Sequence, residues 1–497
     1  MQIKIQVDDL WTFVYTDDQP RLLSYIVGDL MAEVPGAKYT WKFKTGEWDG
    51  RVQLFTQFPD AVAFRTGLLE SVLTRFLGHG VQISSFNHAV RRPCTVNWSA
   101  HSANPVQLRP YQKQAVNAML NNKLPPFNGA GQLSWHRGIL QVATGGGKTE
   151  IAVALYQRNP VQTMFLVHRK DLLYQAKERF AKYGIKTGIL GDGKWDIAHP
   201  IIIATMQTLM ARMEDIGVIG LCAKTDQVFF DEAHLMASSL DKGNQFTKVA
   251  DMFSSARYRW GLTATPFMRS KYDNLLLEGV TGKVLYQISN ADLIAQGHLT
   301  PPKVIMKRVP GLLPVAPPKF NPRKRTAGGA YWREVEETGI KFNAVRTEII
   351  ADEIAKGPHP VLVLSKTVDQ AEFIREKYLQ KYGVRLLILT GKATAAARRD
   401  AVADLKTGVL KAVIATTIFD EGVDIPELQK VILASGGKSQ VKGLQRVGRG
   451  LRTSAGKDEV IIVDFQDTHH TMLRKHALER LKVWKDEGFE VLVEGKA

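Results

Sequence analysis

Ile139-Leu140-Gln141-Val142 runs through Ala143-Thr144 into Gly145-Gly146-Gly147-Lys148-Thr149. A short apolar run, consecutive glycines and a Lys-Thr pair read as a buried strand, a phosphate-cradling turn and the start of a helix. Backbone N–H groups of such a turn point at a phosphate, and glycine is needed because side chains would block the approach. Thr144, Gly145, Gly146 and Gly147 are the expected cradle. Lys148 is expected to neutralise the outer phosphates of a nucleoside triphosphate, and the Thr149 hydroxyl to ligate magnesium. The usual eight-residue form opens on Gly or Ala; Val142 stands there instead, with the glycines kept.

Downstream, Val228-Phe229-Phe230 leads into Asp231-Glu232-Ala233-His234. Alone, this tetrapeptide could be a surface acidic run. After an apolar triplet it is a strand end, where successive side chains point in different directions. Asp231 is then expected to hold magnesium, and Glu232 to orient and deprotonate the attacking water. His234 either couples to a neighbouring motif or caps the turn. Near the C-terminal end, Gln445-Arg446-Val447-Gly448-Arg449-Gly450-Leu451-Arg452 sets Arg449 and Arg452 three apart on one helical face. Guanidiniums so placed are expected to stabilise charge on the transferring phosphate.

Outward from the glycine turn, short apolar runs alternate with amphipathic helical patterns. Strands are predicted at 138–142, 163–167, 200–204, 227–230 and 259–262, and again at 361–364, 385–389, 411–415, 429–433 and 459–463. Each ends in a polar or glycine-containing turn, as in parallel sheets that bind ligands at the carboxyl edge. The predicted fold class is α/β: two parallel-sheet domains in tandem, preceded by a small α+β N-terminal domain. The expected boundaries are 1–104 for a small basic DNA-binding domain, 105–300 for the first α/β domain, 301–340 for a basic Pro-rich connector and 341–497 for the second with its C-terminal helix. Lys303 to Arg325 carries seven basic and no acidic residues amid repeated prolines, which reads as an extended connector.

Before residue 100 the densest patch is Lys38-Tyr39-Thr40-Trp41-Lys42-Phe43-Lys44, followed by Trp48-Asp49-Gly50-Arg51. Period-two alternation predicts a strand with Lys38, Lys42 and Lys44 on one face and Tyr39, Trp41 and Phe43 on the other. The lysines are either solvated or laid against a phosphate backbone. Asp464-Phe465-Gln466-Asp467-Thr468-His469-His470 has metal-ligand residue types, but it follows a buried strand and precedes a charged helix, so it reads as structural. The tail from Met472 to Glu487 reads as an amphipathic helix on the second domain.

The 497 residues are too many for one core. Lys plus Arg number 66 against 49 acidic residues, a formal charge of +17 that favours a polyanionic partner. Two cysteines exclude a disulfide scaffold, and no apolar stretch is long enough to span a bilayer. The N-terminal alternation Met1-Gln2-Ile3-Lys4-Ile5 has no signal-peptide character, and a reducing cytoplasm is the expected compartment.

These motifs in this order, over about residues 105–470, resemble the superfamily 2 helicases, built on two RecA-like domains around one ATP. The resemblance implies that Gln112, in Leu108-Arg109-Pro110-Tyr111-Gln112, reads the adenine. It implies strand-gripping roles for His168 and Arg169, and for Thr205 and Gln207. Gly261-Leu262-Thr263-Ala264-Thr265-Pro266 is similar to the segment coupling hydrolysis to domain motion. Ser365 and Thr416 match second-domain strand contacts, Asp424 lies near the ribose, and Gln445 belongs with the arginines. His234 and Thr263-Ala264-Thr265 depart from the DEAD-box RNA pattern and lean toward the DNA-acting branch.

Lys42-Phe43-Lys44-Thr45-Gly46-Glu47-Trp48-Asp49-Gly50-Arg51-Val52-Gln53-Leu54 resembles the phage UvsW-type branch-migration helicases, implying DNA contacts at Lys42, Lys44 and Arg51. The implied protein is an ATP- and magnesium-dependent monomeric motor acting on branched or forked DNA with single-stranded regions, in a bacterial host cytoplasm if phage-encoded, and with no membrane partner. A duplex translocase without strand separation, an RNA helicase and a non-motor binding protein with a dead nucleotide site are the alternatives.

Overall fold

The computed structural model describes residues 1–88, 104–127, 133–234, 245–264, 270–311, 327–416, 425, 427–437 and 457–494. The chain divides into two compact units, Met1–Val142 with Gly147–Ile288, and Ala143–Gly146 with Ser289–Ala497.

Among the described residues the first unit carries two large sheets and a two-stranded ribbon. The larger has eight strands in the order Lys194–Asp196, Thr187–Gly191, Ile201–Thr205, Thr163–Val167, Gln227–Asp231, Tyr258–Thr263, Arg137–Val142 and Val284–Ile288. Only the pairing of Thr187–Gly191 with Lys194–Asp196 is antiparallel. Its central strands are buried along their length, which explains their unbroken Val, Ile, Leu and Phe content. The register pairs Asp231 with Leu262 and Leu262 with Leu140, so the strand ends that carry the motifs lie side by side.

The N-terminal sheet has the order Phe55–Gln57, Ala61–Arg65, Trp11–Tyr15, Gln2–Val7 and Gln82–His88. It shares one hydrophobic core with the motor sheet's surroundings. Ile3, Val14, Phe64, Leu73 and Phe76 are continuous with Leu124, Phe127 and Trp135, and with Tyr272, Leu275 and Leu276 on the helix Lys271–Thr281. Arg65 clamps Asp251 with two bonds of 2.6 and 2.9 Å, and Lys283 reaches Glu70 at 2.5 Å. Arg137 donates to the Asp9 carbonyl at 3.1 Å. A Cβ at Gly67 would overlap the Glu278 carbonyl, so the helix and this turn touch backbone to backbone.

The segment predicted as a basic strand near residue 40 is helical. Ala37–Tyr39 is one turn of 3-10 helix and Trp41–Lys44 one turn of α-helix, capped by Thr40, whose Oγ1 accepts from the Phe43 N–H at 3.3 Å. Left-handed Gly36 and Gly50 bracket it. The alternation was genuine but served a turn, because a Thr cap ends an extended chain. The antiparallel pairing here is Met31–Glu33 with Arg51–Gln53.

The second unit has seven strands, all parallel, in the order Leu387–Leu389, Ala412–Ala415, Val361–Leu364, Lys430–Leu433, Val460–Asp467, Pro302–Val309 and Glu490–Val493. Pro302–Val309 corrects the reading of this stretch as the start of a connector. It is an inner strand whose Val304, Met306 and Val309 are buried. Its Lys307 lies 2.9 Å from Glu353 and 2.5 Å from Glu494, which offsets the charge. Of the rest of the predicted connector, 312–326 lies outside the described residues, and Ala327–Glu336 is a helix rather than an extended segment.

The residues from Asp464 to His470 are structural. Asp464 accepts from Arg480 at 3.0 Å and from the Trp484 indole at 3.0 Å, both on the helix Thr471–Asp486. His470 caps that helix, and a nitrogen of the His469 ring lies 2.9 Å from the Gly339 carbonyl. Among the described residues no group of His, Cys, Asp and Glu could hold a metal ion by itself, and no helix is long and apolar enough to cross a membrane.

The shared core makes the amino-terminal sheet part of the first unit's stability. A chain beginning at residue 105 would expose Leu124, Phe127, Tyr272, Leu275 and Leu276. Each fully buried side chain of this kind is worth about 1.5–3 kcal/mol. The truncated protein is expected to aggregate or to lose roughly 10 °C or more in Tm. A soluble fragment melting at the parent temperature in a thermal scan would show that the two sheets are independent.

Candidate nucleotide site

The turn after Arg137–Val142 delivers Lys148 at the first position of the helix Lys148–Arg158. Gly147 adopts φ +80°, and a Cβ there would overlap the Gln112 side-chain amide. Glycine is therefore required twice over, by conformation and by space. Gln112 itself is buried, and its Oε1 accepts from the Arg109 N–H at 2.9 Å. The predicted adenine-reading amide and the phosphate loop are thus packed against each other.

Two strands away in the same sheet, Gln227–Asp231 ends at the carboxylates. Glu232 has φ +47°, a left-handed conformation that few non-glycine residues adopt. Glu232 Oε1 lies 3.3 Å from Lys148 Nζ, and the same ammonium is 3.5 Å from the Val142 carbonyl. His234 Nδ1 is 2.7 Å from the Thr263 hydroxyl and 3.5 Å from Glu232 Oε2. The histidine therefore joins the acidic strand end to the end of Tyr258–Thr263, the first of its two predicted alternatives.

Burial, then the neighbouring Glu232 charge, raises the Asp231 carboxyl to about 6. Burial pushes Glu232 upward as well, but Lys148 and His234 outweigh it and hold that carboxyl below its ordinary value. Glu232 is thus the member of the pair that stays ionised to lower pH, as suits a proton acceptor. Its Oε2 is buried without a hydrogen-bond donor. A raised Asp231 beside an acceptor lacking a donor suits a hydrated dication, so these residues fit magnesium. Thr149 and Asp231 would hold it, and it would supply charge to the phosphoryl oxygens.

The other predicted residues fall into three groups. His168 and Arg169 follow Thr163–Val167, next to Thr205 and Gln207, which follow the neighbouring strand. Gln207 Nε2 donates to the His168 carbonyl at 2.9 Å. Arg169 and Gln207 are exposed, whereas Thr205 is buried and its hydroxyl caps the helix Met206–Ala211. In the second unit, Ser365 and Thr416 meet at the carboxyl edge, where the Ser365 N–H donates to the Ala415 carbonyl at 2.8 Å. Both are buried, and Ser365 Oγ donates to Thr367 O and lies 3.0 Å from Gln370 Oε1. Lys42, Lys44 and Arg51 are exposed on the amino-terminal excursion. Asp424, Gln445, Arg449 and Arg452 lie outside the described residues. The exposure of Tyr39 and Trp41 was missed, since strand periodicity assigned them to a buried face.

A lysine-bearing glycine turn facing paired carboxylates across a parallel sheet defines a P-loop nucleoside-triphosphate hydrolase. Residues 105–268 match the family model described as the res subunit of type III restriction enzymes, and residues 341–454 match the helicase conserved C-terminal domain. The chain is 27% identical over 378 residues to the DNA 3'-5' translocase XPB2 of Sulfurisphaera tokodaii, covering 70% of this chain and 79% of that protein. It is 21% identical over 535 aligned positions to the ATP-dependent DNA helicase uvsW of Enterobacteria phage T4, covering 99% of both.

Among solved structures, the type ISP restriction-modification enzyme LlaBIII bound to DNA superposes with a TM-score of 0.55 at 15% identity. That likeness spans 86% of this chain and 36% of the other, and concerns the fold. The chain belongs to the superfamily 2 helicases, with tandem RecA-like domains and an amino-terminal α+β region. It is an ATP-hydrolysing helicase that binds nucleic acid.

Replacing Glu232 by Gln keeps the shape and removes the proton acceptor. Steady-state ATP turnover is expected to fall by about 10²–10⁴-fold, with nucleotide affinity retained in a fluorescent-analogue titration. Gly147→Ala should instead lose the nucleotide itself, through overlap with Gln112. Normal turnover in Glu232→Gln would remove that carboxylate from the chemistry.

Proposed function

We propose that this protein is an ATP-driven DNA motor that unwinds or branch-migrates forks, junctions, D-loops or R-loops in replication, recombination or repair. The observation that carries the motor is the approach of Lys148 to Glu232, with His234 tying that strand end to Thr263. Support for DNA as the substrate comes from the end-to-end alignment with uvsW, named an ATP-dependent DNA helicase, and support for a further contact face from the exposed cluster Lys38, Lys42, Lys44 and Arg51 on the fused amino-terminal region.

In this reading Gln112 contacts the base, the loop Thr144 to Thr149 the phosphates, and Asp424 the ribose. Thr149 and Asp231 would hold magnesium, which would supply positive charge to the phosphoryl oxygens. Arg449 and Arg452 supply positive charge to the transferring phosphate, and the neutral Gln445 amide donates a hydrogen bond beside them. His168, Arg169, Thr205 and Gln207 hold one strand in the first unit, and Ser365 and Thr416 in the second. Strand contacts go to phosphate and sugar, giving little sequence preference and strong salt dependence. A second reading, translocation along duplex without strand separation, is favoured by the name of the XPB2 relative, a DNA translocase.

Strand-displacement assays on forked, Holliday-type and RNA–DNA hybrid substrates, with ATP present or withheld, separate the readings. ATP-dependent resolution of forks and junctions is expected. Displacement of a triplex-forming strand from intact duplex, with no fork unwinding, would select translocation, and stimulation of the ATPase by RNA but not DNA would select an RNA substrate. Lys148→Ala is expected to abolish turnover while DNA binding persists in anisotropy titrations; a variant that still hydrolyses ATP at the parent rate would remove the site.

A further inference from the structure

The amino-terminal excursion from Gly36 to Arg51 presents aromatic side chains to solvent on a rigid base. Tyr39 is 71% exposed and Trp41 69%, the largest values among the exposed aromatic residues. Such rings are ordinarily half or more covered. Nothing in their mounting is loose. Gly36 starts the turn at φ +82°, and the Tyr39 N–H donates to its carbonyl at 2.9 Å. Thr40 Oγ1 donates to the Ala37 carbonyl at 2.7 Å while accepting from Phe43. The Thr45 hydroxyl lies 3.2 Å from the carbonyls of both Trp41 and Lys42, and the Trp48 N–H returns to the Lys42 carbonyl at 3.2 Å. The Trp48 indole donates to the Arg51 carbonyl at 2.6 Å.

Phe43 is the anchor. A Cβ at Gly50 would come within 3.0 Å of the Phe43 ring and of Ala37 Cβ, so one edge of this ring, which is 39% exposed, sits against the glycine. Tyr39 and Trp41 are therefore held outward by hydrogen bonds and by a packed third aromatic. The excursion is continuous with the ribbon Met31–Glu33 and Arg51–Gln53, and Lys271 of the first unit donates to Gly28 at 2.6 Å just before that ribbon.

The charge around the rings selects the occupant. Lys38, Lys42, Lys44 and Arg51 flank them, and all four are exposed. The nearby carboxylates are Glu33, Glu47 and Asp49. Glu33 is 3.9 Å from Arg51, and Asp49 accepts from the Arg51 N–H at 2.9 Å. Lys38 Nζ stands 5.2 Å over the Tyr39 ring. Exposed aromatic faces interleaved with cations fit a strand whose bases are free to stack and whose phosphates are near. A paired duplex offers the phosphates but keeps its bases stacked on each other. Apolar protein partners would favour rings without this ring of lysines.

We propose that Trp41 and Tyr39 form a stacking platform for unpaired bases of a DNA strand, held against the junction by Lys38, Lys42 and Lys44. The proposal rests on the DNA-motor reading and names the strand state this face recognises: single strand beside duplex. The stacking adds to the phosphate contacts of the same turn.

The test uses the full-length protein and three DNA probes: a fork with unpaired arms, an oligothymidylate and a fully paired duplex of equal length. Trp41→Ala with Tyr39→Ala is expected to weaken fork and oligothymidylate binding by roughly ten-fold or more, as when stacking of a base is removed. Trp41→Phe with Tyr39 intact should restore most of it. Forks carrying 5-iododeoxyuridine in the first unpaired positions should photocrosslink to residue 41 or 39, mapped by peptide mass spectrometry.

Equal loss on fork and duplex, unaltered fork binding in the double variant, or crosslinks mapping only elsewhere would each overturn the platform. Dimerisation of the parent in sedimentation that the double variant abolishes would assign the rings to a second copy instead. Failure of the motor reading is seen separately, as parent protein that hydrolyses no ATP with any of these DNAs.

Discussion

The 3.3 Å approach of the Lys148 ammonium to the Glu232 carboxylate depends on the parallel register of one sheet. Asp231 pairs with Leu262, and Leu262 with Leu140, so three consecutive strands end at one level. Antiparallel connection would send alternate ends to opposite edges and scatter the motifs. The edge then gathers a helix start, two carboxylates and the Thr263 hydroxyl. Glu232 takes an uncommon backbone conformation there. A residue so held costs on the order of 1–3 kcal/mol and persists only where its surroundings fix it. Here Lys148 and His234 do so from two sides.

The same sheet reaches backward into the amino-terminal sheet through charges as well as through apolar packing. Arg259 is fully buried, with its guanidinium donating to the carbonyls of Ala250, Phe253 and Ala256. Arg137, one strand away, meets Asp9 from the amino-terminal sheet at 3.7 Å. Burial works against the charge on each guanidinium and raises the Asp9 carboxyl. Buried charges of this kind add little net stability but penalise any displacement that separates them. An amino-terminal domain on a flexible tether would have no use for them. The ribbon that carries Tyr39 and Trp41 therefore belongs to the same compact unit as the strand ends that carry Lys148 and Glu232.

Most of the first and second sheets was legible because a strand buried on both faces has only one way to read. Val228-Phe229-Phe230 and Leu362-Val363-Leu364 are apolar without interruption, and the turns after them are polar. Pro302–Val309 was illegible for the converse reason. Prolines bracket it, and Lys303, Lys307 and Arg308 break its apolar run. Its alternate residues Val304 and Met306 carried the strand signal. The charge on Lys307 became acceptable only through Glu353 and Glu494, far off in sequence. The patch near residue 40 was legible as basic and aromatic but not as helical. Its seven residues alternate like a strand, and only Thr40 with the flanking Gly36 and Gly50 announces a capped turn. The site's residue types were readable from spacing; the link from His234 to Thr263 needed the sheet order.

The places where local rules fail in this chain share a construction. Glu232 violates backbone preference, and Tyr39 and Trp41 violate the tendency of aromatic rings to be covered. Each violation is braced from behind by groups that obey the rules: the buried strand Gln227–Asp231 in one case, Phe43 against Gly50 in the other. A sequence relaxing toward its most stable form would correct both, by glycine at 232 and by polar residues at 39 and 41. Glycine at 232 would delete the carboxylate, and polar residues at 39 and 41 would delete the π-faces. These two departures fall where chemistry and contact would need them.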